Sequence, residues 1–116
     1  MAKETENIGL LHNVIAQGTR IIGSIETNSD IRIDGSLDGD VKCTGKVVVG
    51  PQGAIKGNID CQSADIFGSI DGKVITTDML SLKSSAAIIG EIHTKSLSIE
   101  PGASFNGTCE MLSRPE

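Results

Sequence analysis

The sequence predicts an all-β, single-domain parallel β-helix of about six short coils, and three observations predict it. A five-residue motif, apolar–any–Gly–any–apolar, recurs six times at steps of 16, 18, 15, 18 and 17 residues between its glycines. Around each copy the apolar residues alternate with polar ones, which is strand period and not helical period. Aromatic residues make up only 2% of the chain, against 38% hydrophobic residues and 14 glycines. Thin repeated layers of Ile, Val, Leu and Ala suit that composition better than one bulky core, which normally spends several aromatics.

The units follow one another in order. The motif first appears as Ile21-Ile-Gly23-Ser-Ile25 and then as Leu37-Asp-Gly39-Asp-Val41 and Ile55-Lys-Gly57-Asn-Ile59. It returns as Ile70-Asp-Gly72-Lys-Val74, Ile88-Ile-Gly90-Glu-Ile92 and Phe105-Asn-Gly107-Thr-Cys109. A second apolar pair precedes most copies: Ile31 with Ile33, Val47 with Val49, Leu80 with Leu82, Leu97 with Ile99. Weaker pairs, Asn13 with Ile15 and Ala64 with Ile66, precede the other two. The second member lies six residues before the motif glycine at Ile33 and Ile66, and eight before it at Ile15, Val49, Leu82 and Ile99. Two of the longer connections contain Pro and Gly (Pro51-Gln-Gly53 and Pro101-Gly102), so the length variation falls at corners.

Strands of three to five residues cannot stand alone. Parallel strands need a crossover of about a dozen residues, which a coil of this length supplies by winding round to lie above its own start. Each strand then pairs with its counterpart about 4.8 Å away, and stacking buries the inward side chains collectively. The predicted register places Glu26, Lys42, Asp60, Ile75, His93 and Glu110 in one outward column. Thr27, Cys43, Cys61, Thr76, Thr94 and Met111 form the inward column beside it. Like side chains fall on like positions, and the first three outward residues alternate in sign, as favourable cross-strand pairs do.

Several function classes find no support. A net charge of -5, with ten scattered basic residues among fifteen acids, is wrong for a nucleic-acid partner. Three cysteines without a CxxC pair suggest neither a disulfide framework nor a zinc site. Gly45-Lys46 and Gly72-Lys73 lack the remainder of a phosphate loop. Asp34-Gly35, Asp38-Gly39 and Asp71-Gly72 lack the repeated stacked acids of calcium loops and read as corners. His93 faces outward as a solvated residue. No catalytic, cofactor-binding or metal-ligating residue is therefore assigned. Cys43 and Cys61 read as small inward fillers that remain thiols, and Phe67 reads either as an outward contact residue or as one turned inward by a bulge. Without a secretory leader or an apolar run of membrane-spanning length, the expected location is cytoplasmic.

With the coils laid out, the sequence resembles the bactofilins, bacterial polymer-forming cytoskeletal proteins, over about residues 12 to 112. The resemblance rests on Val14-Ile15-Ala-Gln-Gly-Thr-Arg-Ile-Ile-Gly23-Ser-Ile25, on Ile31-Arg-Ile33-Asp-Gly35-Ser-Leu37-Asp-Gly39, and on the repeated glycine step. It implies a right-handed, three-sided β-helix that joins end to end without nucleotide, head to head and tail to tail. It also implies a scaffold for cell-shape or envelope machinery, with a short N-terminal tail that in many members touches the membrane, which would put the protein at the inner face of the cytoplasmic membrane.

The expected organisation is a flexible tail over 1–11, the β-helix over 12–112 and a short tail over 113–116. Solenoids stay soluble by capping their terminal repeats, and five residues after Met111 are too few to cover an end face. The predicted polymerisation face is therefore Leu97, Ile99, Phe105, Cys109 and Met111. At the other end Ile8, Leu10, Leu11, Val14 and Ile15 are candidates for packing over the first coil, joining a neighbour, or entering a membrane. Two rival readings stand beside the filament: an acyltransferase on a left-handed β-helix, whose stricter six-residue repeat and basic catalytic residue are missing, and a passive adaptor rod.

Overall fold

The computed structural model describes residues 13–112, and every regular element among them is a β-strand. Thirteen strands form one parallel system: β1 (Asn13–Ile15), β2 (Arg20–Ile22), β3 (Ile25–Thr27), β4 (Ile31–Ile33), β5 (Ser36–Asp38), β6 (Val41–Cys43), β7 (Lys46–Val49), β8 (Ala54–Lys56), β9 (Ile59–Cys61), β10 (Ser63–Ile66), β11 (Ser69–Leu82), β12 (Ala87–Ile99) and β13 (Ser104–Met111). The pairing sorts them into three stacks, so each coil has three sides. Face A runs β1-β4-β7-β10 and on to the C-terminal parts of β11 and β12. Face B runs β2-β5-β8 and on to the N-terminal parts of β11, β12 and β13. Face C runs β3-β6-β9, then the middle of β11 and β12, then the end of β13.

The register matches the sequence expectation strand by strand. Ile31 lies on Val47, Ile33 on Val49, Leu37 on Ile55, Val41 on Ile59, and Ile70 on Ile88. These inward residues form one continuous core that includes both members of one weak pair, Ala64 and Ile66, fully buried. The outward column also falls as expected, with Glu26 beside Lys42, Lys42 beside Asp60, and His93 beside Glu110.

The corner between faces B and C explains the motif. Its glycines, from Gly23 to Gly107, all have φ between 136° and 155°, which only glycine adopts readily. They also sit directly on one another. A Cβ added at Gly39, Gly57, Gly72, Gly90 or Gly107 would fall 1.8–2.0 Å from the carbonyl oxygen of the motif glycine one coil earlier. A side chain is excluded twice, by torsion and by contact. The corner between faces A and B takes the length variation: Thr19, Gly53, Ala86 and Ala103 each donate back three residues, closing tight turns in the four longer connections.

The coils are not identical. From β11 onward the ladder runs unbroken round the motif corner, whereas β5, β6, β8 and β9 are separate three-residue strands. One register shift separates Thr76 from Met79 where β11 meets β12. Phe67 follows the inward Ile66 at the corner after β10 and is half-buried there, its N–H donating to the Val49 carbonyl.

Candidate polymerisation faces

The two ends of the column can be read by comparing each terminal coil with its inner neighbour. On β11 and β12, Leu80, Leu82, Ile92 and Thr94 are 0% exposed and Ile88 is 1% exposed. Their register partners one coil on are Leu97, Ile99, Cys109, Met111 and Phe105. Of these Ile99 and Met111 are 48% and 50% exposed, Cys109 is exposed, and Leu97 and Phe105 are half-buried. The side chains occupy equivalent inward positions; what differs is that no further coil lies above the last one among the described residues. All five residues expected on the C-terminal face are thus brought together on one surface, with the Cys109 Sγ 3.9 Å from the Met111 Sδ.

The backbone repeats the pattern. β13 pairs only with β12, and the Leu97–Ile99 segment pairs only with Leu80–Leu82. The outer edge of the last coil therefore presents strand N–H and C=O groups towards the end of the rod, the arrangement that templates another strand. Leu112 closes the described chain, its N–H donating to the Thr94 carbonyl at 2.7 Å.

The N-terminal face is more polar. Ile15, Ile21 and Ile25 are half-buried, each lying on a fully buried partner (Ile33, Leu37 and Val41). Asn13 occupies the remaining inward position of face A and donates through Nδ2 to the Thr27 hydroxyl at 3.0 Å. Val14 stands outward beside Arg32, 53% exposed, on the side of the rod and not over its end. Ile8, Leu10 and Leu11 lie outside the described residues. Ile21 and Ile25 complete this face and were not among the residues expected there, although the motif's own parity points both of them inward.

The remaining chemistry-bearing residues have structural roles. Cys43 and Cys61 are free and buried in face C. Burial, with the neighbouring Cys43 and Asp60 adding to it, pushes the Cys61 thiol up to about 12, so it is protonated and unreactive at neutral pH. The Cys43 thiol contacts the Ser29 carbonyl at 3.2 Å. His93 points outward, half-buried, between Glu91 at 3.2 Å and Glu110 at 3.4 Å. Of two buried hydroxyls inside the column, Thr76 donates to Thr94, and Thr94 in turn donates a hydrogen bond to the Ser96 carbonyl at 2.9 Å. No group of three or more His, Cys, Asp or Glu able to hold a metal occurs among the described residues. Nor do they contain a helix long and apolar enough to cross a membrane.

The chain matches the family model described as "Bactofilin: Polymer-forming cytoskeletal" over residues 13–110. It is similar to bactofilin BacO of Myxococcus xanthus (strain DK1622), with 28% identity over 102 residues, covering 88% of this chain and 81% of that protein. Among solved structures it resembles bactofilin from Thermus thermophilus in double helical filaments, with a TM-score of 0.82 and 26% identity, covering 86% of this chain and 99% of the other. A crystal structure of a phenylalanine-to-arginine mutant of bactofilin from Thermus thermophilus matches with a TM-score of 0.72 and 25% identity, covering 76% and 98%. A family match spanning nearly the whole of the described column, together with a fold shared with solved bactofilin structures, places this chain in the bactofilins, a family of polymer-forming cytoskeletal proteins.

Proposed function

We propose that this protein is a structural scaffold, without catalytic activity, whose rods join through their end coils into filaments that need no nucleotide. One observation carries the reading: positions sealed at 0–1% exposure in the fifth coil stand open in the sixth. Fully burying five such side chains contributes on the order of 7 to 15 kcal/mol, and association costs about 4 to 15 kcal/mol. Apolar contact therefore comes close to balance by itself, and strand pairing across the joint tips it towards assembly.

Like ends join to like. The C-terminal face is apolar throughout, whereas the N-terminal face mixes three isoleucines with Asn13 and Thr27. Continuing the coil register head to tail would set Leu97 over Asn13 and Met111 over Thr27, taking the Asn13–Thr27 pair out of water into an apolar joint that offers it no further hydrogen bond. Joining the C-terminal faces to each other avoids that mismatch, and the resulting filament has no polarity. Its clients are cell-envelope or morphogenetic proteins in the cytoplasm. The tail is the candidate membrane contact, and co-sedimentation with liposomes, with and without residues 1–11, checks that part.

Negative-stain microscopy of the pure protein without nucleotide tests the filament. Long fibres are the expected result. Discrete trimers would favour the acyltransferase architecture, and single rods at high concentration would leave only an adaptor.

A further inference from the structure

The motif corner carries an acidic or amide residue directly before its glycine in three of the six copies: Asp38-Gly39, Asp71-Gly72 and Asn106-Gly107. The third is the chain's single Asn-Gly step, and it falls in the last coil. At this corner the glycine N–H points towards the next coil. Gly23 donates to the Asp38 carbonyl at 3.0 Å, Gly39 to the Lys56 carbonyl at 2.9 Å and Gly57 to the Asp71 carbonyl at 3.0 Å. The register carries the same arrangement on through Gly72 and Gly90, each facing the residue before the next motif glycine. Gly107 keeps the corner conformation, with φ 155°, but no coil lies beyond it among the described residues to supply a carbonyl. Asn106 and Gly107 are both exposed.

We propose that Asn106-Gly107 is a site of spontaneous deamidation on the open end of a lone rod, and that joining at this end suppresses it. The Gly107 amide nitrogen gives its proton to solvent base and attacks the Asn106 side-chain carbonyl carbon. A C–N bond closes a succinimide ring, the Cγ–Nδ2 bond breaks and ammonia leaves. Water then opens the ring at one carbonyl or the other, giving aspartate or isoaspartate; nothing is oxidised or reduced. Glycine permits the approach because it has no Cβ beside the attacking nitrogen and turns freely. An N–H held in a ladder resists it, since that bond fixes both the proton and the torsion between the two residues. Gly39 is held in this way, whereas Gly107 is not.

The product matters because of where it forms. Isoaspartate routes the main chain through the former side chain, adding a methylene between Phe105 and Cys109. Those two residues of the C-terminal face then fall out of step with any facing edge, and strand pairing depends on register. Across a joint the Gly107 N–H gains an acceptor. Joined ends therefore keep their asparagine, while ends left free lose the ability to join as they age. This last step rests on the filament reading; the chemistry at a lone end does not.

Asp38→Asn sets the identical dipeptide at the same corner of an inner coil, where the Gly39 N–H is tied to Lys56. That protein, kept dilute enough to stay in the supernatant, is incubated at mildly alkaline pH and both peptides are followed by mass spectrometry. Conversion at position 106 should outrun that at position 38 by roughly tenfold or more, the factor set by opening one ladder hydrogen bond, and the two rates should converge in urea. Asp71→Asn repeats the comparison two coils on. Equal rates in the folded rod, or no conversion at position 106, overturn the site. Sedimented wild-type filaments should keep Asn106 while the supernatant loses it. Aged wild-type rods should join poorly, whereas Asn106→Gln rods aged alongside them should join like fresh ones. Equal loss in pellet and supernatant, or normal joining by converted rods, overturns the link to assembly. A wild type that forms no filaments at any concentration overturns the filament reading, and the two rates alone then decide the site.

Discussion

Phe105→Arg separates folding from assembly more sharply than any other single change. Phe105 is half-buried, resting on Ile88, which is 1% exposed. In a lone rod an arginine's methylene stem covers Ile88 while its guanidinium stays in water, so the column loses only about 1 kcal/mol. At a joint the same head group is buried without an acid to meet it, because no carboxylate is among the inward residues of the last coil. A buried, unpaired charge costs roughly 3 to 5 kcal/mol, and the lost phenyl contact adds about 1 to 2 kcal/mol. Together these weaken the joint by on the order of a thousandfold or more at ~1.4 kcal/mol per tenfold. The effect doubles where two copies of this face meet. Sedimentation and microscopy should show soluble single or paired rods at concentrations where the wild type is fibrous, with an unchanged β circular-dichroism spectrum. Normal filaments at the wild-type concentration would refute the assignment of the C-terminal face.

Three further outcomes follow from the column itself. Gly72→Ala forces a Cβ against the Gly57 carbonyl at a φ of 150°, so its thermal midpoint should fall by several degrees or the chain fail to fold; an unchanged melt would contradict the stacked-glycine corner. Thr94→Val leaves the buried Thr76 hydroxyl without its acceptor and should cost about 1 to 3 kcal/mol in urea unfolding, while Thr76→Val with Thr94→Val should cost less than the single change. Because burial raises the Cys61 thiol from 9.0 to about 12, the unfolded chain gives up this proton first. Stability is held below about pH 9 and is lost progressively as pH climbs towards 12, which denaturant titrations from pH 8 to 11 will read and Cys61→Ala should flatten.

Much of this was legible in the sequence, for a specific reason. From Gly39 onward the motif glycine is required both by its torsion and by the carbonyl beneath it, and at Gly23 by torsion alone, so the period stays visible. Inward parity survives for the same reason: a slip of one residue would turn every core side chain outward. Less legible were features that depend on which neighbour is missing. Val14 looked like an end-face residue because it is apolar and early, but parity sets it beside Arg32. Ile21 and Ile25 looked like ordinary core, and only the absence of a coil beyond them among the described residues makes them surface.

A solenoid whose end coils are open among the described residues makes folding and polymerisation continuous with each other. The contact between the fifth and sixth coils and the contact proposed at the C-terminal joint use one set of side chains: Leu80, Leu82, Ile88 and Ile92 inside, Leu97, Ile99, Phe105 and Cys109 at the end. Their apolar gain is therefore similar per layer. The two contacts differ in entropy, because successive coils are tethered by a few residues whereas two rods must give up translational and rotational freedom. A joint is always the weaker layer, so filaments should break between subunits long before a subunit unwinds. Such a polymer can be remodelled by anything that competes for an end face.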